Sequence, residues 1–189
     1  MCTKYYKTKE SVDEYIKLAK DVNGSSLIDR LKEFLPKNSL LLEIGSGPGN
    51  DYQILKETYN VVGSDFSKEF IKRLTSKYPN ETFLNINAVK FKTNQKFDGI
   101  YSNKVLQHIT NSELEESIKC QLNSLNNAGV ICHSFWKGEG DEVFQGMMVN
   151  YQTKKSLKLL FEKYFEILLL EEYKEFEEAD SILLIAKKK

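Results

Sequence analysis

The apolar positions of this 189-residue chain change period along its length. Near the N-terminus Val12, Ile16 and Ala19 recur at helical spacing, and Ser11 with Glu14 fits a capping box, so "SVDEYIKLAK" predicts a helix. "SSLIDRLKEFL" predicts a second, opening after Gly24 and stopping before Pro36. From there the pattern shifts. "SLLLEIG" is apolar without alternation, which suits a strand covered on both faces, as in a parallel sheet. Runs of strand length return in "NVVGSD", "ETFLNI", "FDGIYSN" and "GVICHSF", with helical stretches "SKEFIKRLTSKY" and "SELEESIKCQLNSL" among them. Thr110 and Glu113 supply a capping box for the latter. A long stretch to about Tyr151 reads as loop, and "TKKSLKLLFEKYF" as helix. Two strand-like runs, "EILLLEEYKEF" and "SILLIAKKK", close the chain around a Glu-rich turn that reads as solvated surface.

Strands alternating with helices predict a doubly wound α/β sheet with right-handed crossovers. The closing pair has no helix between its members, so at least one of them runs antiparallel. No linker or internal repeat divides the chain. Residues 1–189 are therefore expected to form one domain, with 1–38 a helical cap on a core of 39–189.

The chemistry concentrates in "LLEIGSGPGND", Leu41 to Asp51. Gly45, Gly47 and Gly49 follow the first strand, where a doubly wound sheet binds its ligand. A dinucleotide asks for G-x-G-x-x-G, whereas the spacing here is G-x-G-x-G, with Asn50 at the position of the third glycine. Glu43 bears on the choice as well. Beside a pyrophosphate it is repelled by a few kcal/mol at about 4 Å and an effective dielectric near 20, and beside an ammonium or sulfonium it is attracted by a similar amount. Asp65, ending "VVGSD", can accept from both hydroxyls of a ribose in either ligand. Spacing and charge together favour S-adenosylmethionine.

Composition narrows the partners. Lysine plus arginine (27) balances aspartate plus glutamate (27), and only Arg30 and Arg73 are arginines, which equips the chain poorly for a polyanion such as nucleic acid. Cys2, Cys120 and Cys132 are scattered, and with only His108 and His133 they suggest neither a metal site nor a disulfide framework. The polar start "MCTKYYKTKE" and the lack of an apolar run near 18 residues point to a cytoplasmic protein without a membrane partner.

Taken in order, "LLEIGSGPGND", "VVGSDFS", "FDGIYSNKVLQHI" and "GVICHSFW" resemble a class I S-adenosylmethionine-dependent methyltransferase, over residues 38 to the C-terminus. The resemblance implies a Rossmann-like, seven-stranded sheet, mostly parallel with a reversed last strand, and a reaction product of S-adenosylhomocysteine. It implies that Glu43, Gly45, Gly47 and Gly49 hold the methionine end, that Asp65 binds the ribose and that Phe66 lies against the adenine. Asn87 and Ala88 stand where the family reads the adenine edge, although the family commonly has an acidic residue at the position of Asn87. Ser102, Asn103 and Val105 would border the transferred methyl. Family members that methylate adenine bases or glutamine side chains carry Asn/Asp-Pro-Pro-Tyr where this chain has "SNKV". Those attacking cytosine need a cysteine, usually after proline, but Pro36, Pro48 and Pro79 precede Lys, Gly and Asn.

A small-molecule acceptor remains. His108, just past the fourth strand, is the candidate general base, while His133 within an apolar strand reads as a core residue. Trp136 is expected in the acceptor pocket, with residues 135–151 as a lid, and Tyr5 and Tyr6 as further substrate-side candidates. Two other readings stay open: a catalytically silent S-adenosylmethionine-binding module and a nicotinamide-dependent oxidoreductase.

Overall fold

Leu41 and Leu42 point to opposite faces of one strand, yet both are fully buried, which is why their run shows no alternation. The computed structural model describes residues 8–20, 22–144 and 146–189. Its strands are β1 (Leu40–Ile44), β2 (Asn60–Asp65), β3 (Phe83–Asn85), β4 (Phe97–Asn103), β5 (Leu125–Trp136), β6 (Asp141–Phe144), β7 (Met147–Asn150), β8 (Phe165–Tyr173) and β9 (Ser181–Lys188). Helices are α1 (Lys9–Leu18), α2 (Ser25–Leu31), α3 (Asn50–Leu55), α4 (Lys68–Lys77), α5 (Asn111–Ser124) and α6 (Lys154–Phe161).

Seven strands form one sheet in the order β3-β2-β1-β4-β5-β9-β8. β1 pairs in parallel with β2 on one side and β4 on the other, so the winding reverses between β1 and β4. β9 is antiparallel to both β5 and β8 and is the reversed last strand. It can lie there because the short turn after β8 lets the chain fold straight back, whereas a parallel neighbour requires a crossover. Each face of the sheet has its own apolar core. Leu42, Ile44, Ile100 and Ile131 pack with Leu114 and Ile118 of α5 and with Leu157 and Phe161 of α6. Leu41, Val61 and Cys132 pack with Ile28 and Leu31 of α2 and with Tyr52 and Leu55 of α3.

Local signals held unevenly. Thr110 and Glu113 form the reciprocal capping box at α5. At α1, however, the N-cap is Thr8, whose hydroxyl accepts from the Ser11 N–H, so Ser11 and Glu14 do not form the expected box. Thr8 and Ser11 both bear hydroxyls and lie three apart, and a side-chain pattern alone does not choose between them. α2 stops at Leu31, and residues 32–34 turn before Pro36. The stretch expected as a loop to Tyr151 contains the antiparallel hairpin β6–β7. Gly146 at φ +78° supplies the left-handed conformation its tight turn needs. No helix among the described residues is long and apolar enough to cross a membrane.

Candidate functional site

The glycine loop leaves β1 at the reversal point. Gly45 has φ +76°, and a Cβ there would come within 2.4 Å of Val105 Cγ2, so both the backbone conformation and the missing side chain are required. Gly47 also lies in the left-handed region, facing Tyr15. Gly49 is the N-cap of α3, and its Cα faces Leu74 of α4, so it serves packing between helices and does not line the cleft.

Two adjoining hollows open around this loop. The first is largely apolar, walled by Phe66, Phe70, Ile86, Ala88 and Ile109, with Asp65, Asn87 and His108 among its polar groups. The second is lined by three carboxylates, Glu43, Asp51 and Glu175. Tyr15, Gly45, Gly47, Asn103 and Lys104 border both, making one cleft with an aromatic end and an acidic end.

At the acidic end Glu43 is 2% exposed, and its Oε2 accepts from the Ser46 hydroxyl at 2.5 Å. Burial, with the nearby charge of Asp51, pushes its carboxyl up to about 8; the Ser46 hydrogen bond opposes this and Asp65 adds to it. Asp51 accepts from the Gly24 N–H at 2.6 Å, the Tyr101 hydroxyl at 2.8 Å and Asn103 Nδ2 at 3.0 Å. It thereby ties the N-terminal segment to β4. Asn50 adds to the same closure by donating to the carbonyls of Ala19 and Val22. Asp51 was not singled out from the sequence, although a second carboxylate eight positions after Glu43 was there to be read.

Asp65 holds the loop from the other side. Its Oδ2 accepts from the Gly47 N–H at 3.0 Å and its Oδ1 from the Ser67 N–H at 2.7 Å. Burial raises this carboxyl while those N–H donors oppose the rise. Capping of α4 falls to Ser67, which accepts from the Phe70 N–H. Phe66 is 44% exposed at the aromatic end, beside Asn87 and Ala88. Asn87 Oδ1 accepts from the Val89 N–H at 2.8 Å, which orients the side chain.

Ser102 and Asn103 diverge. Ser102 is fully buried and does not border the cleft. Its hydroxyl donates to His133 Nδ1 at 2.8 Å, and His133 Nε2–H donates to Gln121 Oε1 at 2.8 Å. The direction follows from Gln121, whose Nε2 donates to Ser117 and so turns its oxygen toward the imidazole. Burial drops the His133 imidazole to about 3, so it is a neutral core residue, as expected. Asn103 borders both hollows, donating to Asp51 and accepting from the Ser134 hydroxyl at 2.5 Å.

His108 follows β4 on a 3-10 turn, Leu106–His108, and borders the aromatic end. Its Nδ1–H donates to the Met148 carbonyl at 2.7 Å, which ties β7 to this turn and leaves Nε2 with its lone pair. Burial holds the ring below its usual range, so it is neutral at pH 7.

Trp136 does not border either hollow. It stands beside Lys104, whose Nζ lies 3.7 Å from the indole centroid, and it stacks on Phe176. Lys104 and Tyr15 are cleft residues that the sequence reading passed over. Tyr15 lies on the helix expected as a cap, one position before the apolar stripe residue Ile16. The Glu-rich turn is more than solvated surface, since Glu175 reaches the acidic end. Tyr5 and Tyr6 lie outside the described residues. Among those residues, no group of three or more His, Cys, Asp or Glu side chains is placed to hold a metal ion.

The donor set fits a nucleoside with an ammonium-bearing tail: carboxylates at one end, an aromatic wall at the other, and glycines between them. Comparison with known proteins agrees. Residues 41–129 match the family model described as a methyltransferase domain. The 1,6-didemethyltoxoflavin-N1-methyltransferase of Burkholderia thailandensis, solved with 1,6-didemethyltoxoflavin and S-adenosylhomocysteine, superposes with a TM-score of 0.81 at 16% identity, covering 95% of this chain and 84% of that one. An S-adenosylmethionine-dependent methyltransferase from Clostridium acetobutylicum superposes at 0.75 with 15% identity, over 95% and 98% of the two chains. The N-methyltransferase NodS from Bradyrhizobium japonicum, in complex with S-adenosylhomocysteine, does so at 0.73 with 15% identity, over 95% and 97%. At such identities the structures speak for the fold alone: the chain has the Rossmann-like fold of these methyltransferases, and residues 41–129 match a methyltransferase domain.

Proposed function

We propose that this protein transfers a methyl group from S-adenosylmethionine to a small-molecule acceptor. The observation that carries the reading is the polarity of this cleft, aromatic at one end and acidic at the other, about a loop that admits no side chain at Gly45. Bound S-adenosylmethionine supplies a sulfonium-activated methyl group. Glu43 and Asp51 supply the negative charge that attracts its ammonium, and Gly45 and Gly47 leave room for the tail. Asp65 spends one lone pair of each oxygen on the loop and the β2–α4 turn and keeps others for the ribose hydroxyls. Phe66, Asn87 and Ala88 serve the adenine. Asn103 orients the cleft floor through Asp51 and Ser134.

In this reading His108 Nε2 takes a proton from the acceptor, and the Met148 contact supports the tautomer this requires. Tyr15 of α1 borders both hollows, and cover from that helix aligns the reactants and limits water. The Burkholderia enzyme of the same fold holds 1,6-didemethyltoxoflavin, in keeping with a small acceptor here. Titration calorimetry with S-adenosylhomocysteine, S-adenosylmethionine and NAD tests the cofactor, and NAD binding without the other two would return the oxidoreductase reading. A panel of small acceptors, followed by release of S-adenosylhomocysteine, tests turnover. Cofactor binding with no release across a broad panel would favour the silent binding module.

A further inference from the structure

Lys104 occupies a position that the cofactor reading leaves unexplained. It follows Asn103 at the end of β4, borders both hollows, and adopts the left-handed conformation at φ +55°, a strained choice for a residue with a side chain. Its N–H donates to Ser134 Oγ at 3.0 Å. Its Nζ turns along the sheet edge, donating to the Phe135 carbonyl at 3.0 Å and to Ser181 Oγ at 2.6 Å, and it faces the Trp136 ring at 3.7 Å. Tyr173 lies 5.4 Å away, and Glu175 and Asp180 are the charged groups facing the amine.

These contacts continue a chain of hydrogen bonds. Asp51 accepts from Asn103, Asn103 from Ser134, and Ser134 from the Lys104 N–H. On the far side Ser181 donates to Asp180, whose carboxylate accepts from the N–H groups of Glu175, Phe176 and Glu177. The chain thus runs from the acidic end of the cleft to the turn between β8 and β9, and Lys104 is its middle link.

We propose that Lys104 is a positioning residue that ties Trp136 and the 174–180 turn to the acidic end of the cofactor cleft. The argument rests on the cleft being the S-adenosylmethionine site. It explains why Trp136 stands beside the cleft without bordering it: Lys104 borders the cleft and the indole packs on its amine. The link is also sensitive to charge. Burial pulls the amine down to about 7 even against the opposing pull of Glu175 and Asp180, and the indole face favours the ammonium.

Trp136 is the single tryptophan, so its fluorescence reports on this link directly. In the wild type, emission should change with pH through a transition at about 7, well below the ordinary lysine range. Lys104→Met should abolish that transition and raise acrylamide quenching of Trp136 at least about twofold, because the indole loses its cation and its anchor. Lys104→Arg, which keeps a charge able to stack on the ring, should restore quenching to the wild-type value. Saturating S-adenosylhomocysteine should alter Trp136 emission in the wild type and in Lys104→Arg but not in Lys104→Met, while its affinity for Lys104→Met stays within about threefold. The proposal is overturned if Lys104→Met keeps the pH transition and the quenching of the wild type, or still transmits cofactor binding to Trp136. A tenfold loss of cofactor affinity in that variant would also overturn it, making Lys104 a cofactor ligand. If the wild type binds no S-adenosylhomocysteine in calorimetry, the cofactor reading fails separately. The pH and quenching measurements still decide whether Lys104 holds the indole.

Discussion

Replacing Glu43 with Gln isolates the electrostatics of the acidic end. With its carboxyl pushed up to about 8 by burial, Glu43 carries a proton in roughly nine of ten empty molecules at pH 7. A ligand ammonium beside it favours the carboxylate, so binding should expel close to that fraction, about 0.9 proton per molecule at pH 7. Calorimetry of S-adenosylhomocysteine binding in buffers of differing ionisation enthalpy measures this number as a slope. The wild type should show the release, and Glu43→Gln, which mimics the protonated form but has no proton to give, should show almost none. Stability follows with a definite sign. A carboxyl raised from 4.5 to about 8 on folding contributes stability that is complete below pH 4.5 and is lost as pH rises through about 8. By pH 7 the loss amounts to on the order of 3 kcal/mol, from 1.36 kcal/mol for each of about 2.5 units. Ligand-free Glu43→Gln should therefore gain on the wild type in urea unfolding between pH 5 and pH 8. Equal proton release in the two proteins, or parallel pH–stability curves, would refute the assignment of a buried, protonated Glu43.

Other substitutions probe the remaining parts. Gly45→Ala combines a left-handed backbone with a Cβ pressed on Val105 and should cost about 2–4 kcal/mol in urea unfolding, with cofactor binding impaired as well. Asp65→Ala removes acceptors from the Gly47 and Ser67 N–H groups in addition to the proposed ribose contacts, and calorimetry should find binding of S-adenosylhomocysteine weaker by about 1.5–3 kcal/mol. His133→Leu strands the Ser102 hydroxyl and the Gln121 carbonyl oxygen in the core, an expected destabilisation of about 2–4 kcal/mol by the same unfolding assay.

Much of this protein was legible because its signals are local. Unalternating runs such as "LLLEI" announce strands buried on both faces, since neither face can accept polar side chains. Gly45 and Gly47 mark a backbone that L-residues resist, and Glu43 fixes the sign of the charge beside it. The absence of a helix between "EILLLEEYKEF" and "SILLIAKKK" was enough to require a reversed strand. What the sequence left open depends on which distant residues meet. Ser102 and Asn103 are neighbours in one strand, but the pleat sends Ser102 to His133 in the core and Asn103 to Asp51 at the cleft. Gly24 and Asp51 are bonded across 27 positions, and Lys104 and Ser181 across 77. No periodicity encodes such pairs: the first forms where the N-terminal segment meets the start of α3, and the second only when β9 inserts beside β5 and brings Ser181 to the end of β4. Trp136 shows the consequence: its chemistry pointed to a ligand, and the fold placed a lysine between them. Sequence determines what each segment can bury and how its backbone can bend, while the sheet order decides which side chains share a cleft.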